Sequence, residues 1–455
     1  MENEPLDILL IEDMDWRTDL HEQGGASGDG ITLVEILVHA VQWLTSQPRL
    51  ALALVSAQAK AAGHSAEYIY RPMFPWKRNA FRKLLERKPK VAGITTIMMF
   101  RPASVARLVD EIRRLSPGTA IVLGGHGAAD YPAIRALGDL FVTGHGEGAF
   151  ASLATALKNG VPLDKVPGVS VSPDGVRTMA GSLRYEDIPR VLAPDWSASA
   201  TACRRYPVEA SRGCRFNCSY CSFPGKGGQV FRAVGDIVAE IRSSMETRGI
   251  RRFEFIDSSL TSDEKFITEL CAALRAGKLN IEWKCFARPD AFERVPELAS
   301  EMAAAGCSKV FMGVEAIHDH ILKGMRRGMD RAGIERALTR VFAAGIKVHG
   351  NFIIGFPGET GETVRETAEF IKRWPFTSVF LSTFGMSPEM LQLAAAEPEH
   401  YAHLTGAPTK GWRHDTMDYR EAYRLTVWAT KYINDSKSSK LVISPITNDP
   451  DYLPS

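Results

Sequence analysis

The stretch EASRGCRFNCSYCSFPGKGG (209–228) places Cys214, Cys218 and Cys221 within eight positions, in the spacing C-x3-C-x2-C. Structural zinc usually takes four protein ligands in two separated pairs, and no fourth cysteine lies near these three. Three thiolates on a cubane iron–sulfur cluster leave one iron open, so that a substrate or cofactor can bind it directly. The spacing therefore favours a [4Fe–4S] cluster with an open iron.

The remaining thiols are poor candidates for a fourth ligand. They are Cys203, Cys271, Cys285 and Cys307. Cys271 falls within a predicted helix and Cys307 at the end of another. A total of seven cysteines, odd and clustered, is not typical of a disulfide framework. We therefore expect a cytoplasmic protein whose thiols stay reduced.

The cysteines follow the first strand of an alternating series of strands and helices. Apolar runs predict strands at 206–211, 251–258, 281–289, 308–316, 347–356 and 378–384. Amphipathic stretches between them predict helices. Six β-α units are too few for a closed eight-stranded barrel but sufficient for an open one. We therefore predict a partial (β/α)6 barrel over 201–388, followed by a short helical C-terminal region over 389–455.

The first third of the chain shows a second series of this kind. Strands are predicted at 7–12, 66–71, 91–99, 120–125 and 139–144. Strand–helix alternation favours a parallel sheet with helices on both faces, so residues 1–167 are predicted to form a doubly wound α/β domain and 168–200 a linker. Two strands end in glycines, GGHGA (124–128) and GHGEGAF (144–150), either as ligand-binding turns or as simple tight turns.

Composition limits the partners of this protein. Of 455 residues, 45% are hydrophobic, and 55 Lys plus Arg balance 53 Asp plus Glu to a net charge of +2. Such a balance disfavours nucleic acid as a partner. The start of the chain lacks the pattern of a secretory signal, and no apolar run approaches the length of a membrane helix. We expect neither a nucleic-acid nor a membrane partner.

With Tyr220 just before its last cysteine, the motif resembles that of the radical S-adenosylmethionine (SAM) superfamily. RRFEFIDSS (251–259), GVEA (313–316) and NFIIGFPGET (351–360) resemble the second, fourth and fifth strands of that family. The resemblance implies that the open iron binds SAM, whose reductive cleavage gives a 5′-deoxyadenosyl radical that abstracts a hydrogen from the substrate. It also implies an external electron donor, such as a flavodoxin or ferredoxin.

One motif departs from the family pattern. Many members carry Gly-Gly-Glu after the second strand, where this chain has Asp257-Ser258-Ser259. This segment therefore lacks the family's glutamate, and Ser258 is its candidate for cofactor binding.

Strand parity and the resemblance assign the remaining site candidates. Glu282, Lys284, Phe286 and Arg288 share one strand face, which suggests a polar interior. Arg288 could hold the SAM carboxylate bidentately, or it could simply pair with Glu315. The resemblance implies that Glu315 contacts the SAM ribose or amino group, and that Tyr220 and the backbone around Ile353 flank adenine.

Two carboxylates are candidates for catalysis. Glu209 and Asp257 are expected to point inward and to contact substrate hydroxyl or ammonium groups or transfer protons, with structural roles as the alternative. Together with Glu282 they would suit a cationic amino sugar.

The N-terminal strands GITTIMM, IVLGGHGA and LFVTGHGEGAF resemble the cobalamin-binding type of domain. DLHEQG (19–24) fits the D-x-H-x-x-G pattern that supplies an axial histidine in other cobalamin proteins. However, His21 comes about nine residues after the predicted strand, so a polar loop is the favoured interpretation. A cobalamin-binding type of fold does not establish that cobalamin binds.

Two enzymatic functions remain open. Over its whole length the chain is most similar to the radical SAM diol dehydratases that deoxygenate aminoglycoside sugars in antibiotic biosynthesis, which favours a lyase acting on a 1,2-diol. The alternative is a cobalamin-dependent radical SAM C-methyltransferase of natural-product biosynthesis. A sensor would need an output module, and a transfer-RNA-modifying enzyme a basic domain; neither is visible in the sequence.

Overall fold

The computed structural model describes residues 4–13, 49–170, 192–198, 205–435 and 441–443, with short gaps at 71, 74–76, 98, 100, 126, 129–130, 143, 163–164, 224–225 and 408–410. The chain divides into two compact units, Met1–Arg204 and Arg205–Ser455. The division falls just after the predicted linker. Within the described ranges, no helix has the length and apolar character needed to cross a membrane.

The first unit contains a sheet in the order β2-β1-β3-β4-β5-β6, parallel except for the antiparallel β6. Its strands are β1 Ile8–Glu12, β2 Ala66–Tyr70, β3 Val91–Thr95, β4 Ala120–Gly124, β5 Leu140–Val142 and β6 Val169–Ser170. The order 2-1-3-4-5 is that of flavodoxin-like doubly wound folds. The predicted fold class of this unit is thereby confirmed, and β6 lies at the start of the stretch that was predicted to be a linker with short β-like pieces.

Helices cover both faces of this sheet. They are α1 Leu50–Ala61, α2 Arg78–Glu86, α3 Pro102–Leu115, α4 Pro132–Arg135 and α5 Gly146–Asn159. On one face, α2 and α3 bury Phe81, Leu85 and Leu108 against the strands. On the other, α5 packs so closely on β3 that a Cβ on Gly93 would lie 2.4 Å from the Phe150 ring. The sheet is therefore a fully buried central layer.

The second unit contains a parallel sheet in the order β18-β14-β13-β12-β11-β10-β7. Its strands are β7 Tyr206–Val208, β10 Arg252–Phe255, β11 Glu282–Ala287, β12 Cys307–Glu315, β13 Lys347–Ile354, β14 Ser378–Thr383 and β18 Leu441–Ile443. The helices in and after this series are α6 Val234–Arg248, α7 Glu264–Ala276, α8 Pro289–Arg294, α9 Leu298–Ala304, α10 Asp319–Gly324, α11 Arg331–Ala343 and α12 Gly361–Arg373. The first six strands are the six predicted β-α units.

The two faces of this sheet differ in burial. Along β11 the exposure alternates, with Trp283 and Cys285 fully buried and Lys284 and Phe286 accessible. The same alternation continues in β12 and β13, where α9 and α11 pack on the buried side. We call the accessible side, which carries Lys284 and Phe286, the inner face. The prediction that Glu282, Lys284 and Phe286 lie on one face of β11 is confirmed.

The C-terminal region is less helical than predicted. It contains α13 Pro388–Ala396, an antiparallel sheet of β15 Thr405–Ala407, β16 Gly411–His414 and β17 Met417–Asp418, α14 Tyr419–Asp435 and the strand β18. Helix α14 packs on α12 and β14, and β18 pairs with β14. The region is thus part of the second unit, because it completes the edge of the sheet.

The C-terminal region also fixes the turn after β13. Gly355 has a φ of +93°, and a Cβ there would lie 2.5 Å from Cβ of Ala422 in α14. Trp412 of β16 packs on the same point and donates its indole N–H to the Phe384 carbonyl oxygen at 3.0 Å. The turn therefore requires glycine for both its backbone conformation and its packing.

We predict that Gly355→Ala lowers the free energy of unfolding of the second unit by about 2–4 kcal/mol, because a strained φ adds to overpacking. The matched control is Gly345→Ala, at a φ of +76° with no heavy atom within 4 Å of the added Cβ. It should cost only about 1–2 kcal/mol of backbone strain. Urea unfolding measures both variants, and equal losses would contradict the packing argument.

Candidate active site

An antiparallel hairpin that was not predicted from the sequence flanks the cysteine loop. Its strands are β8 Ser211–Cys214 and β9 Gly228–Phe231, in antiparallel register from Ser211↔Phe231 to Cys214↔Gly228. The loop is also tied to the end of α10, since Ser219 donates its hydroxyl to the Gly324 carbonyl oxygen at 2.8 Å. The three cysteines therefore lie on a short loop anchored at both sides.

The three thiols lie close enough to influence one another. Burial raises the pKa of Cys221, and the neighbouring Cys218 and Cys214 raise it further. Among the described residues, no three His, Cys, Asp or Glu side chains converge tightly enough to hold a single metal ion. A cubane cluster is larger than an ion, and each cysteine binds a different iron. Three soft thiolate donors on one loop therefore fit an iron–sulfur cluster.

The other described thiols lie elsewhere. Cys271, Cys285 and Cys307 are buried in the core outside the inner face. Burial raises the pKa of Cys271 to about 12 and that of Cys285 above its usual range, which makes them inert thiols. Cys203 lies outside the described residues. The expectation that Cys271 and Cys307 are not the fourth ligand agrees with this placement.

Arg288 is placed differently from the prediction. Its Nη1 donates to Sγ of Cys218 at 3.3 Å, its Nε to Asp290 at 2.9 Å and its Nη2 to the Arg327 carbonyl oxygen at 2.7 Å. The guanidinium also stacks 3.7 Å from the Phe216 ring centroid. Because its donors are divided among these partners, Arg288 holds the cysteine loop, and the predicted bidentate contact to a SAM carboxylate finds no support.

Glu315 faces a different arginine from the one considered in the sequence. It is half-buried beside Arg327 and the Tyr220 hydroxyl, both of which counteract the rise in its pKa caused by its removal from solvent. Arg327 donates to the Tyr220 oxygen at 3.1 Å and reaches Sγ of Cys218 at 3.8 Å. The charge of Arg288 also opposes this rise, but less than that of Arg327, and Arg288 makes its ion pair with Asp290. Arg327 was missed, and its only signal is the pair Arg326-Arg327 in the loop after α10.

The backbone at Glu315 is unusual for its residue type. Its φ is +69°, and the register between β12 and β13 shifts between Gly313 and Glu315. Such an irregularity re-aims a side chain at the end of a strand. Here it brings a carboxylate to Tyr220 and Arg327 beside the cysteine loop.

The predicted catalytic carboxylates have structural partners. Asp257 is buried, and it accepts the Ala210 N–H at 3.1 Å and the hydroxyl and N–H of Ser211. Asp257 lies two residues beyond the end of β10, and its predicted contact to the substrate stays a prediction. Burial raises its pKa to about 7. Asp257 therefore fixes the connection from β7 to β8.

Glu209 and Ser258 also contact the hairpin. Glu209 accepts from Nε of Arg212 at 2.7 Å, and its negative charge contributes to the raised pKa of Asp257. Ser258 donates its hydroxyl to the Gly213 carbonyl oxygen at 2.5 Å. Both residues are thus beside the cysteine loop, where their predicted roles stay predictions.

Ile353 lies on the inner face near the carboxyl end of β13, and the predicted position of its backbone beside adenine stays a prediction. The following turn is held by Glu359, which is 1% exposed and accepts the N–H of Gly355. Burial raises the pKa of Glu359 to about 8, although hydrogen bonds from the Gly355 and Phe356 amides oppose the rise. Glu359 was not among the site residues predicted from the sequence.

Glycine turns line the carboxyl edge of the first sheet. Thr96 accepts the Ala128 N–H at 2.8 Å, and a Cβ on Gly127 would lie 2.3 Å from the Met99 carbonyl oxygen. Ile97, on the same edge, is 42% exposed. The carboxyl edge of a doubly wound parallel sheet is where such folds bind ligands. The DLHEQG motif with His21 lies outside the described residues.

Comparisons with known families match both units. The Radical SAM superfamily matches residues 208–371, and the B12 binding domain matches residues 43–154. The chain thus contains a radical SAM domain after a B12-binding domain, which confirms the resemblance stated from the sequence. A [4Fe–4S] cluster and SAM are the cofactors of the radical SAM domain, and the B12-binding domain supports cobalamin.

Similar proteins include an uncharacterized methyltransferase of Pyrococcus horikoshii, 28% identical over 63% of this chain and 64% of its own length. Solved structures include the radical SAM methyltransferase TsrM of Kitasatospora setae, with a TM-score of 0.62 and 20% identity over 86% of this chain and 78% of that one. The cobalamin-dependent radical enzyme OxsB has a TM-score of 0.71 and 14% identity, over 94% and 67%. The structures show a shared fold. The chain spans less than two thirds of the length of its Pyrococcus relative.

We predict that protonated Glu359 stabilises the fold at low pH. Because its pKa rises from 4.5 to about 8 on folding, the unfolded state releases its proton first. The free energy of unfolding therefore falls as pH rises between these values. In Glu359→Gln, the decrease in the free energy of unfolding from pH 5 to pH 8 should be smaller than in wild type by about 1–3 kcal/mol. In the control Glu362→Gln, which changes an exposed residue, this decrease should equal that of wild type. Urea unfolding at pH 5 and pH 8 measures the difference; equal slopes for wild type and Glu359→Gln would contradict it.

Proposed function

We propose that this chain, built from a B12-binding domain and a radical SAM domain, is a cobalamin-dependent radical SAM methyltransferase that acts on a small molecule. The observation that carries the proposal is the presence of both domains in one chain, with three clustered thiols at the carboxyl edge of the second sheet. Two of the similar proteins reported above are methyltransferases.

In this proposal Cys214, Cys218 and Cys221 hold the cluster. When bound, the cluster supplies the electron that cleaves SAM, and cobalamin supplies a carrier for the methyl group. The chain places cationic donors next to Cys218. Arg288 and Arg327 both donate to its Sγ, and such charge-assisted contacts would hold the sulfur in position for the cluster.

The polar group of Glu315, Arg327 and Tyr220 would bind the polar end of SAM. These side chains meet beside Cys218, where burial strengthens their electrostatic interactions. Ile353, on the inner face two strands away from β11, would offer the apolar surface for adenine. Asp257 and Ser258 act as positioning residues because both hold the hairpin that carries the loop.

The diol dehydratase favoured by the sequence gains no support from the similar proteins reported above. Its expected cationic amino-sugar substrate needs open carboxylates, and Glu209 and Asp257 already have partners within the protein. The methyltransferase, stated as the alternative from the sequence, is therefore the better-supported function. The proposed electron donor remains an external flavodoxin or ferredoxin.

We predict that Cys218→Ala abolishes cluster assembly and SAM cleavage, because the remaining two thiolates hold a cubane too weakly. The matched control is Cys271→Ala, which removes a buried thiol from the core and should keep both the iron content and the cleavage activity. Iron, sulfide and 5′-deoxyadenosine or S-adenosylhomocysteine are measured after anaerobic reconstitution. Full cleavage in Cys218→Ala would overturn the assignment of the cluster.

We predict that the full chain, expressed with cobalamin and purified without oxygen, retains about one cobalamin per chain and transfers a labelled methyl group from SAM to it. Ile97→Asp should lower cobalamin retention at least about tenfold, since a charge against the apolar cofactor is costly. Val161→Asp, 44% exposed in the same unit but away from this edge, should retain it.

Visible absorption and mass spectrometry of the cobalamin fraction measure both effects. A protein with iron and sulfide that retains no cobalamin and yields only 5′-deoxyadenosine would contradict the methyltransferase. It would then favour the dehydratase, with the first unit as a scaffold.

A further inference from the structure

The inner face of the second sheet carries two rows of side chains in register across the strands. In one row Lys284 of β11 pairs with Lys309 of β12. In the next row toward the carboxyl ends, Phe286 pairs with Phe311, which pairs with His349 of β13. We call these the basic row and the aromatic row.

The basic row contains a cation without an acidic partner. Lys284 forms an ion pair with Glu254. Lys309 has no carboxylate within ion-pair distance in the described part of the chain, and its nearest polar contact is the Ser378 hydroxyl at 3.4 Å. It is half-buried, and burial together with the nearby Lys284 and Lys347 lowers its pKa, although the negative charge of Glu254 opposes this shift. Because Glu254 already forms its ion pair with Lys284, an added anion would still stabilise the half-buried ammonium of Lys309.

The aromatic row offers an accessible apolar surface next to this cation. The Phe286 and Phe311 rings stack with centroids 5.0 Å apart and an interplanar angle of 27°. Phe286 is 38% exposed and Ile256, on the neighbouring strand end, 40%. The ammonium group of Lys309 lies 5.1 Å from the Phe311 centroid. Accessible apolar side chains beside an unpaired charge are typical of a ligand site.

Both rows lie below the cysteine loop along the strands. Arg288, whose Nη1 is 3.3 Å from Sγ of Cys218, comes two residues after Phe286 and four after Lys284. At about 3.3 Å per residue, the aromatic row lies roughly 7 Å, and the basic row roughly 13 Å, from that strand end. A molecule spanning both rows would present its far end to the cysteines.

We propose that the inner face binds an organic anion, whose carboxylate or phosphate contacts Lys309 and whose apolar or planar body lies on Phe286 and Phe311. This inference rests on the proposed function, because it names the substrate class of that active site. It replaces the cationic amino sugar expected from the sequence. Of the three carboxylates expected to bind that sugar, Glu282 also has a partner, Arg205, at 2.8 Å.

The test is titration calorimetry on the anaerobically reconstituted full chain with S-adenosylhomocysteine present. The probes are benzoate, phenyl phosphate, inorganic phosphate and benzylamine. Both aromatic anions should bind more tightly than inorganic phosphate, which lacks the apolar body, and more tightly than benzylamine. The preferred aromatic anion distinguishes a carboxylate from a phosphate substrate.

Lys309→Met should weaken binding of both aromatic anions at least about tenfold, and Lys309→Arg should restore most of it. The matched control, Lys347→Met, removes an exposed lysine of the adjacent strand and should change binding by less than about twofold. Tighter binding of benzylamine than of benzoate, or unchanged binding of both aromatic anions in Lys309→Met, would overturn the inference.

This experiment needs neither cobalamin nor methyl transfer. Lys309-dependent anion binding by a chain that transfers no methyl group would refute the proposed function and leave the anion site intact. Methyl transfer by a chain that binds benzylamine more tightly than benzoate would support the proposed function and refute the anion site.

Discussion

Three cysteines on one short segment must be held together by groups that come from distant parts of the chain, and the arrangement of the second unit depends on these contacts. Burial raises the pKa of Cys221, and the neighbouring Cys218 and Cys214 raise it further. Two guanidinium groups donate to Sγ of Cys218, that of Arg288 after β11 and that of Arg327 after α10. Because these segments are distant in sequence, the cysteine motif functions only where a parallel sheet brings its carboxyl ends together.

The guanidinium groups need partners of their own. Arg288 is paired with Asp290, and Arg327 lies beside Glu315 and Tyr220. Removing one member of such a buried set leaves an uncompensated charge, which is far costlier than the net gain from the pair. The cysteine loop, the end of β12 and the start of α8 are therefore coupled, and the hairpin of β8 and β9 adds a second anchor.

The sequence predicted those features that depend on local periodicity. All six predicted strands of the second unit appear, and the alternation of β11 correctly assigned Lys284 and Phe286 to one polar face. Partners could not be predicted in this way. Asp257 was expected to contact the substrate, whereas its partners in the structure include the N–H and hydroxyl of Ser211, a residue 46 positions away.

Side-chain contacts between distant segments could not be predicted from local sequence patterns either. Arg327 has no signal in the sequence apart from a basic pair. The edge strand β18 and the contact of Ala422 with Gly355 arise from a region whose periodicity indicated only helices. These features depend on segments that are far apart in sequence, and a single sequence does not reveal which of them meet.

Contacts between distant segments also determine the sign of the charge at the inner face. Counting acidic residues in the sequence suggested a cleft for a cation, because Glu209, Asp257 and Glu282 all fall in the second unit. The structure gives each of them a partner within the protein and leaves Lys309 without a carboxylate partner among the described residues. The charge that a ligand meets is set by the groups that remain uncompensated after folding. At the inner face that group is cationic, although the chain as a whole is close to neutral.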